Sequence, residues 1–534
     1  MKEFARLYAR LDATTKTNEK VAALREYFTD AQPADGAWAV YFLTGRRLKR
    51  LVSTRDLRSW AAEQAGIPDW LFEESYHAVG DLAETVSLVL PPSAQADSRL
   101  RLHEFVDRYL LSLRDASPPQ QQATIFEVWS QLDQVGRFVW NKLITGSFRV
   151  GVSRQLVVRA LAQVANQEAA VIAHRLMGQW EPTAEFFDQL LAAEAQDAEP
   201  SRPYPFFLAS PMEVPVAELG DVVDWLAEWK WDGIRAQVVR RSGQTFVWSR
   251  GEELVTQRFP ELGPAAECLP DGTVLDGEIL SMRGDTVLPF AELQRRIGRK
   301  RVGRKLLSEV PVKLLAFDLL EREGVDVRSV ALRDRRAWLQ QLLGTFSPDA
   351  NIRLSPVVEG QDWAELAEQR DGSRSRHVEG LMLKRLDSPY GVGRQRGAWW
   401  KWKIDPLSVD AVMLYAQLGH GRRASLYTDY TFGLWKDDQL IPFAKAYSGL
   451  SDVEIREVDR FVRRSTIDRF GPVRHVKPEL VFEVGFENIQ PSKRHKSGIA
   501  VRFPRILRWR RDKTVQQADS LDSLYTLLPQ GERP

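Results

Sequence analysis

Apolar residues recur at three- and four-residue spacing through the first ~190 residues, the period of amphipathic helices. Ser153 is a candidate N-cap, followed by Leu156, Val157, Ala160, Leu161, Val164 and Ala165 on one helical face. Stretches 99–114 and 121–145 carry similar spacing, and no alternating strand pattern occurs before residue 205. Residues 193–205, acidic and then proline-rich, read as a linker. After it the pattern changes. Short β-rich runs at 237–239, 245–248, 274–280 and 312–320 alternate with helical stretches at 331–343 and 362–369, which predicts an α+β domain ending near Asp405. Beyond Pro406 the runs are strand-like again. Leu480, Phe482, Val484 and Phe486 alternate with Val481, Glu483 and Gly485, the pattern of a half-buried strand. The chain therefore divides into an all-α segment, 1–205, an α+β segment, 206–405, and a small β-barrel, 406–534.

Composition narrows this picture. The 534 residues are 44% hydrophobic and 27% charged, an ordinary globular balance. No apolar run reaches the ~18 residues of a membrane span. The N-terminal MKEFARLYARLDATT has no apolar core of a signal peptide, so a cytoplasmic location and no membrane partner are expected. The single cysteine, Cys268, excludes an intrachain disulfide and a cysteine-rich zinc site. The overall charge of +2 says little, but residues 406–534 alone sum to +5, which points weakly to an anionic partner there.

The sharpest local signal is Glu228-Trp229-Lys230-Trp231-Asp232-Gly233-Ile234-Arg235. Taken alone it is equally an amphipathic segment with incidental charges. Read chemically, Lys230 is a candidate nucleophile. A lysine of ordinary pKa ~10.4 is almost wholly ammonium at pH 7, and nearby cations or apolar walls are needed to free the amine. On a strand Trp229 and Trp231 point away from Lys230, so the cations have to come from elsewhere. Trp399-Trp400-Lys401-Trp402-Lys403 offers two lysines on one strand face.

The octapeptide resembles motif I (ExKxDGxR) of the ATP-dependent DNA ligases, and further segments resemble the other nucleotidyltransferase motifs in order. These are Ser249-Arg250-Gly251, Leu275-Asp276-Gly277-Glu278 (motif III), Phe317-Asp318-Leu319-Leu320 (IIIa), Glu379-Gly380-Leu381-Met382-Leu383-Lys384 (IV) and Trp399 to Lys403 (V). Arg502-Phe503-Pro504-Arg505 with Arg510-Arg511-Asp512-Lys513 resembles motif VI, and Leu143-Ile144 with Phe148 to Val152 resembles a segment late in the family's helical DNA-binding domain. The resemblance implies a helical DNA-binding domain, a nucleotidyltransferase domain and an OB-fold domain. It implies sealing of 5′-phosphate/3′-hydroxyl nicks in duplex DNA through lysyl-AMP and adenylated DNA, using ATP and Mg²⁺ or Mn²⁺. A sister RNA ligase or capping-type nucleotidyltransferase, and a DNA-binding scaffold that has lost catalysis, are the alternatives.

By resemblance, Lys230 is the nucleophile and Glu228 contacts the adenine. Phe317 stacks on it, while Arg235 and Arg250 meet ribose and phosphate. Glu278 and Glu379 hold the ribose or the divalent ion. Lys401 and Lys403 reach the α-phosphate and lower the Lys230 pKa. Arg505, Arg510, Asp512 and Lys513 form the C-terminal motif that orients pyrophosphate, which implies a hinge near 404–406. The family often carries adjacent basic residues where this chain has Arg394-Gln395, and the role of Arg394 stays open.

Basic residues supply candidate contacts to the DNA backbone. They are Arg46 and Arg47, Lys142 and Arg149, Arg295, Arg296, Arg299 and Lys300 in the acid-free run 294–305, and Arg508 and Arg510. The layout resembles bacterial ligases thought to act in repair beside a helicase and a nuclease, and a monomer associated with the nucleoid is expected.

Overall fold

The computed structural model describes residues 1–48, 51–93, 100–146, 148, 150–193, 200–297, 299, 302–419 and 425–528. The chain forms two compact units. One contains residues 1–12, 46–150 and 405–534, and the other 13–45 and 151–404. Among the described residues, no helix is long and apolar enough to cross a membrane.

The first ~190 residues are helical as the periodicity predicts, and the first described strand is Phe207–Leu208. Helix Arg154–Ala165 starts after Ser153 and packs against Thr17–Asp30 in the same unit. The apolar run 121–145 is two helices, not one. Pro118–Gln131 ends before Asp133, whose carboxylate accepts a bond from Gly136 N at 2.7 Å and starts Gln134–Thr145. The segment 99–114 is a short helix, Leu102–Phe105, continued by tighter and wider turns to Arg114. Part of the linker expected at 193–205 lies outside the described residues.

Two sheets build the core of the unit that contains residues 151–404. Strand β1 (Trp225–Trp231) belongs to the first and β2 (Ile234–Arg241) to the second, so motif I straddles both. The chain changes sheets at Gly233, where a Cβ would stand 2.4 Å from Ile279 O; only glycine fits. The second sheet continues with β3 (Gln244–Ser249), β4 (Thr273–Arg283), β5 (Val312–Arg322) and β6 (Ile352–Leu354), in the order β6-β5-β4-β2-β3. Strand β5 is buried from Val312 to Glu321, because helix Leu332–Leu343 covers one of its faces. The first sheet orders β1, β7 (Val378–Arg385) and β8 (Trp399–Lys403) side by side. Its outer face, with Trp225, Trp229 and Trp402, packs on Leu366 of helix Trp363–Asp371. Between the sheets lie Phe207, Val239, Trp248, Phe317, Leu320, Tyr390 and Trp399.

In the other unit, the C-terminal residues form a curled antiparallel sheet of OB-fold type. Strands β9 (Leu407–Leu418), β10 (Tyr427–Lys436) and β11 (Gln439–Ala446) run as a meander, and β12 (Val481–Phe486) pairs with both β9 and Arg505–Trp509. Phe482, Val484 and Phe486 enter the core, as their alternation predicts. Val481 is also fully buried, since Val515 and Ala518 cover the face that the pattern leaves open. Helix Asp452–Ser465 closes the barrel, started by a reciprocal cap in which Ser451 and Glu454 bond each other's backbone.

Candidate active site

Strand geometry brings the motifs together. On β1, Glu228 and Lys230 share the face turned inward, while Trp229 belongs to the apolar cluster on the outer face. Antiparallel pairing sets Glu228 opposite Met382 on β7 and Met382 opposite Lys401 on β8, a single row across three strands. One step along, the register shifts between Val378 and Leu381. Gly380 sits there at φ +133°, with a would-be Cβ 2.3 Å from Trp402 O. That irregularity turns Glu379 toward Lys230. The Lys230 ammonium donates to Glu379 Oε2, and Lys403 Nζ lies 3.2 Å from the same oxygen.

The site is rich in cations. Burial raises the Glu379 carboxyl, but Lys230 and Lys403 outweigh it and hold the group below its ordinary value. Lys401 is pushed down by burial and by its like-charged neighbours Arg394, Lys230 and Lys403. Among the described residues Lys401 has no acid within ion-pair distance, so its charge awaits an anion. The same geometry sets Arg394, whose role the sequence leaves open, at the edge of this cation cluster.

Arg235 stands opposite Glu278 across β2 and β4. Its guanidinium forks onto Asp276, with Nε at 3.2 Å and Nη2 at 2.7 Å, and Tyr390 donates its hydroxyl to Asp276 Oδ2 at 2.6 Å. The Arg235 side chain is thus held in place, with its Cζ 5.3 to 5.8 Å from the ring centroids of Phe206, Phe317 and Trp399. Arg250 is exposed at the rim, close enough to Glu278 to act on its charge. Burial pushes the Glu278 carboxyl up to about 8, against the pull of Lys230 and Arg235.

A folded-state value above the ordinary 4.5 means that Glu278 keeps a proton the unfolded chain gives up. Its stabilising contribution is therefore full below about pH 4.5 and is lost as pH rises through about 8. Without nucleotide or metal, the melting temperature is expected to fall less between pH 6 and 9 in Glu278→Gln than in the parent. Parallel calorimetric curves for the two proteins would refute the assignment.

A second cluster surrounds Glu228, which is 2% exposed. Its Oε1 accepts from Arg336 Nη1 at 3.0 Å and its Oε2 from Lys384 Nζ at 2.5 Å. Lys384 also stands 3.9 Å from the centroid of Phe317 and 4.5 Å from that of Trp399. Phe317 and Met382 belong to one apolar cluster. Tyr390, Asp276, Arg336, Lys384 and Met382 received no role from the sequence. Lys384, Met382 and Asp276 lie inside the quoted motifs, and that position was the available signal.

Motif VI belongs to the other unit. There Arg505 pairs with Glu487 at 2.9 Å and Lys513 with Asp410 at 2.5 Å. Arg510 holds Asp410 and Asp512, each at 2.7 Å. Arg510 and Lys513 thus share Asp410.

Two DNA-contact expectations are overturned. Arg296 is fully buried, with its guanidinium on Glu261 and the carbonyls of Val310 and Arg258. Lys142 is 7% exposed and pairs with Asp81. Both cations are spent inside the protein. Arg47 and Arg299 are exposed and Arg46 is half-buried. Arg295 is exposed but paired with Glu292 and Glu309, and Arg508 is exposed and paired with Glu483. Arg149 and Lys300 lie outside the described residues.

A lysine at a two-sheet cleft, ringed by cations and backed by an acidic and aromatic slot, defines a lysyl-nucleotidyltransferase. Three family models cover the chain: DNA ligase N terminus over 1–162, ATP dependent DNA ligase domain over 207–403, and ATP dependent DNA ligase C terminal region over 423–513. The chain is 32% identical to a "Probable DNA ligase" of Koribacter versatilis, over 98% of this chain and 95% of that protein. It is 31% identical to a "Probable DNA ligase" of Anaeromyxobacter sp., over 91% and 95%. A solved structure named Pmar-Lig_PreS3 shares the fold at TM-score 0.63 and 16% identity, over 95% of this chain and 99% of that one. The chain belongs to the ATP-dependent DNA ligase family.

Proposed function

We propose that this ATP-dependent DNA ligase seals nicks in duplex DNA with Lys230 as the residue that carries AMP. The observation that carries the reading is the cation cluster. Lys230 and Lys403 share the Glu379 carboxylate, and Lys401 stands beside them with no acid within ion-pair distance among the described residues, which leaves positive charge for a triphosphate.

The adenine slides between Phe317 and Met382, with its edge against Glu228 and Lys384. Glu228 accepts from the exocyclic amine, and Lys384 donates to the ring nitrogen beside it. Lys230 Nζ, once its ammonium has shed a proton, attacks the α-phosphorus. The N–P bond forms as the bond to pyrophosphate breaks. Lys401 and Lys403 take the charge that gathers on the α-phosphate oxygens, the main source of catalysis in such transfers. Arg235 and Arg250 serve the ribose and phosphates, and Arg505 and Lys513 the departing pyrophosphate. AMP next passes to the 5′-phosphate at the nick, and the 3′-hydroxyl displaces it to close the strand.

Among the described residues there is no cluster of three or more metal-binding side chains. Two carboxylates suit Mg²⁺ or Mn²⁺ here, because such ions take few protein ligands and fill their shells with water and phosphate. Glu379 and Glu278 would hold the ion, which supplies charge neutralisation at the phosphates.

The architecture we assign is a helical DNA-binding domain at 1–205, an adenylation domain at 206–405 and an OB-fold domain at 406–534. Arg46, Arg47, Arg295, Arg299, Arg508 and Arg510 are the remaining described candidates for backbone phosphates. A monomeric, cytoplasmic and nucleoid-associated repair role beside a helicase and a nuclease completes the proposal.

Sealing of nicked DNA and nicked RNA duplexes with ATP tests the substrate: DNA is expected to be joined, and joining of RNA alone would overturn the reading. Phe317→Ala is expected to weaken ATP binding about 10- to 100-fold through lost stacked apolar area. Equal calorimetric affinities would remove the stacking role.

A further inference from the structure

Glu228 is held from two sides, and only one of them faces the aromatic slot. Lys384 Nζ, on one carboxylate oxygen, also lies over Phe317 and Trp399. Arg336, on the other oxygen, lies over no ring of the slot. It comes from helix Leu332–Leu343 and is 7% exposed. Its second nitrogen, Nη2, donates to the carbonyl of Ser355. The helix start is itself pinned, with Leu332 N donating to Ser388 O at 3.0 Å and Arg333 N to Leu386 O at 2.9 Å. The preceding residue, Arg335, grips Asp318, the neighbour of Phe317. Consecutive arginines of one helix thus hold the strand that carries Phe317 and the carboxylate of Glu228.

We propose that Arg336 is a positioning residue that sets purine selection by fixing the plane of the Glu228 carboxylate. This deepens, and rests on, the assignment of Glu228 to the adenine edge. The terminal torsion of a glutamate is soft, and a lysine ammonium is a point charge that follows a turning carboxylate. A guanidinium anchored at its far side does not follow. With Arg336 in place, Glu228 presents a fixed acceptor, which suits the amino group of adenine and repels the keto oxygen of hypoxanthine. Without Arg336, the carboxylate turns toward Lys384 and the keto oxygen meets less repulsion. Sites that fix a buried polar group against a substrate group discriminate most strongly, because the wrong partner leaves that group unpaired.

The test is the rate of self-adenylation against concentration of ATP and of inosine triphosphate, in the full-length protein with Mg²⁺. The parent, Arg336→Met, Arg336→Lys and Glu228→Gln are compared. Arg336→Met is expected to lower the ATP-to-inosine ratio of kcat/KM about tenfold, a change of ~1.4 kcal/mol in discrimination. Arg336→Lys keeps the charge without the fork and should fall between the two. It carries the test if the methionine variant does not fold.

An unchanged ratio in a folded Arg336 variant, with KM raised equally for both nucleotides, would overturn the proposal and leave Arg336 a purely structural residue. Glu228→Gln separates the two assignments. A collapsed ratio in Glu228→Gln with a parental ratio in the Arg336 variants removes only the positioning role. A parental ratio in Glu228→Gln removes the reading of adenine by Glu228, and this proposal with it.

Discussion

Lys230→Ala is expected to take up no AMP from ATP and to seal no nick, a loss of at least about 10⁴-fold, the scale seen when a catalytic nucleophile is deleted. The side chain is about one-fifth exposed, and Glu379 keeps Lys403 as a partner when Lys230 is shortened. The fold should therefore survive the substitution. Intact-protein mass after incubation with ATP and Mg²⁺, without DNA, reads the effect directly. Parent protein should gain one AMP, after pyrophosphate treatment has stripped any AMP carried from expression. A folded Lys230→Ala protein that still gains AMP would place the nucleophile elsewhere. Closing a nick whose 5′ end already bears AMP makes no use of the lysine nucleophile. The variant should retain that step, and its loss there would mean that Lys230 has a second task on the DNA. If the parent itself gains no AMP, a non-catalytic scaffold becomes the better description.

The sequence carried the residues that repeat a chemistry along a strand. Lys401 and Lys403 at strand spacing, and Glu228 and Lys230 likewise, share faces whatever the tertiary context, and the structure places the two pairs on the strands that flank β7 in one sheet. Partners that act across long sequence gaps were not legible. In LRDRRAWL, Arg335 and Arg336 look like a solvated helix face, yet their carboxylates are Asp318 and Glu228, the latter 108 residues away. Charge runs failed for a related reason. Arg295 and Arg296 are adjacent in a basic stretch, but Leu293 and Arg296 share the buried side of helix Phe290–Ile297 while Arg295 faces out. Helical period alone could have separated them. The division of the helical segment between two compact units leaves no mark on periodicity, since each helix is amphipathic whichever neighbour it finds.

Arg335→Met is expected to destabilise the unit containing residues 151–404 by about 3–5 kcal/mol, the cost of leaving one half of a buried ion pair without the other. Arg335 and Asp318 are both fully buried. Nε and Nη2 of Arg335 donate to the two Asp318 oxygens at 2.8 and 2.9 Å, and Nη1 donates to the carbonyls of Val330 and Ser388. Methionine fills much of the arginine stem volume but returns none of these bonds, so among the described residues Asp318 keeps only the amide of Leu319. Removing Asp318 as well should recover much of the loss, because no uncompensated charge then remains and leucine at both positions packs against the apolar core. The two units need not unfold together, so the transition to follow is the one that ATP shifts. Urea midpoints for parent, Arg335→Met and the Arg335→Leu/Asp318→Leu pair decide the matter. A single variant within about 1 kcal/mol of the parent would show that the pair is not the anchor of Phe317's strand. A double variant no more stable than the single one would show that the lost bonds to Val330 and Ser388, rather than the stranded charge, set the cost.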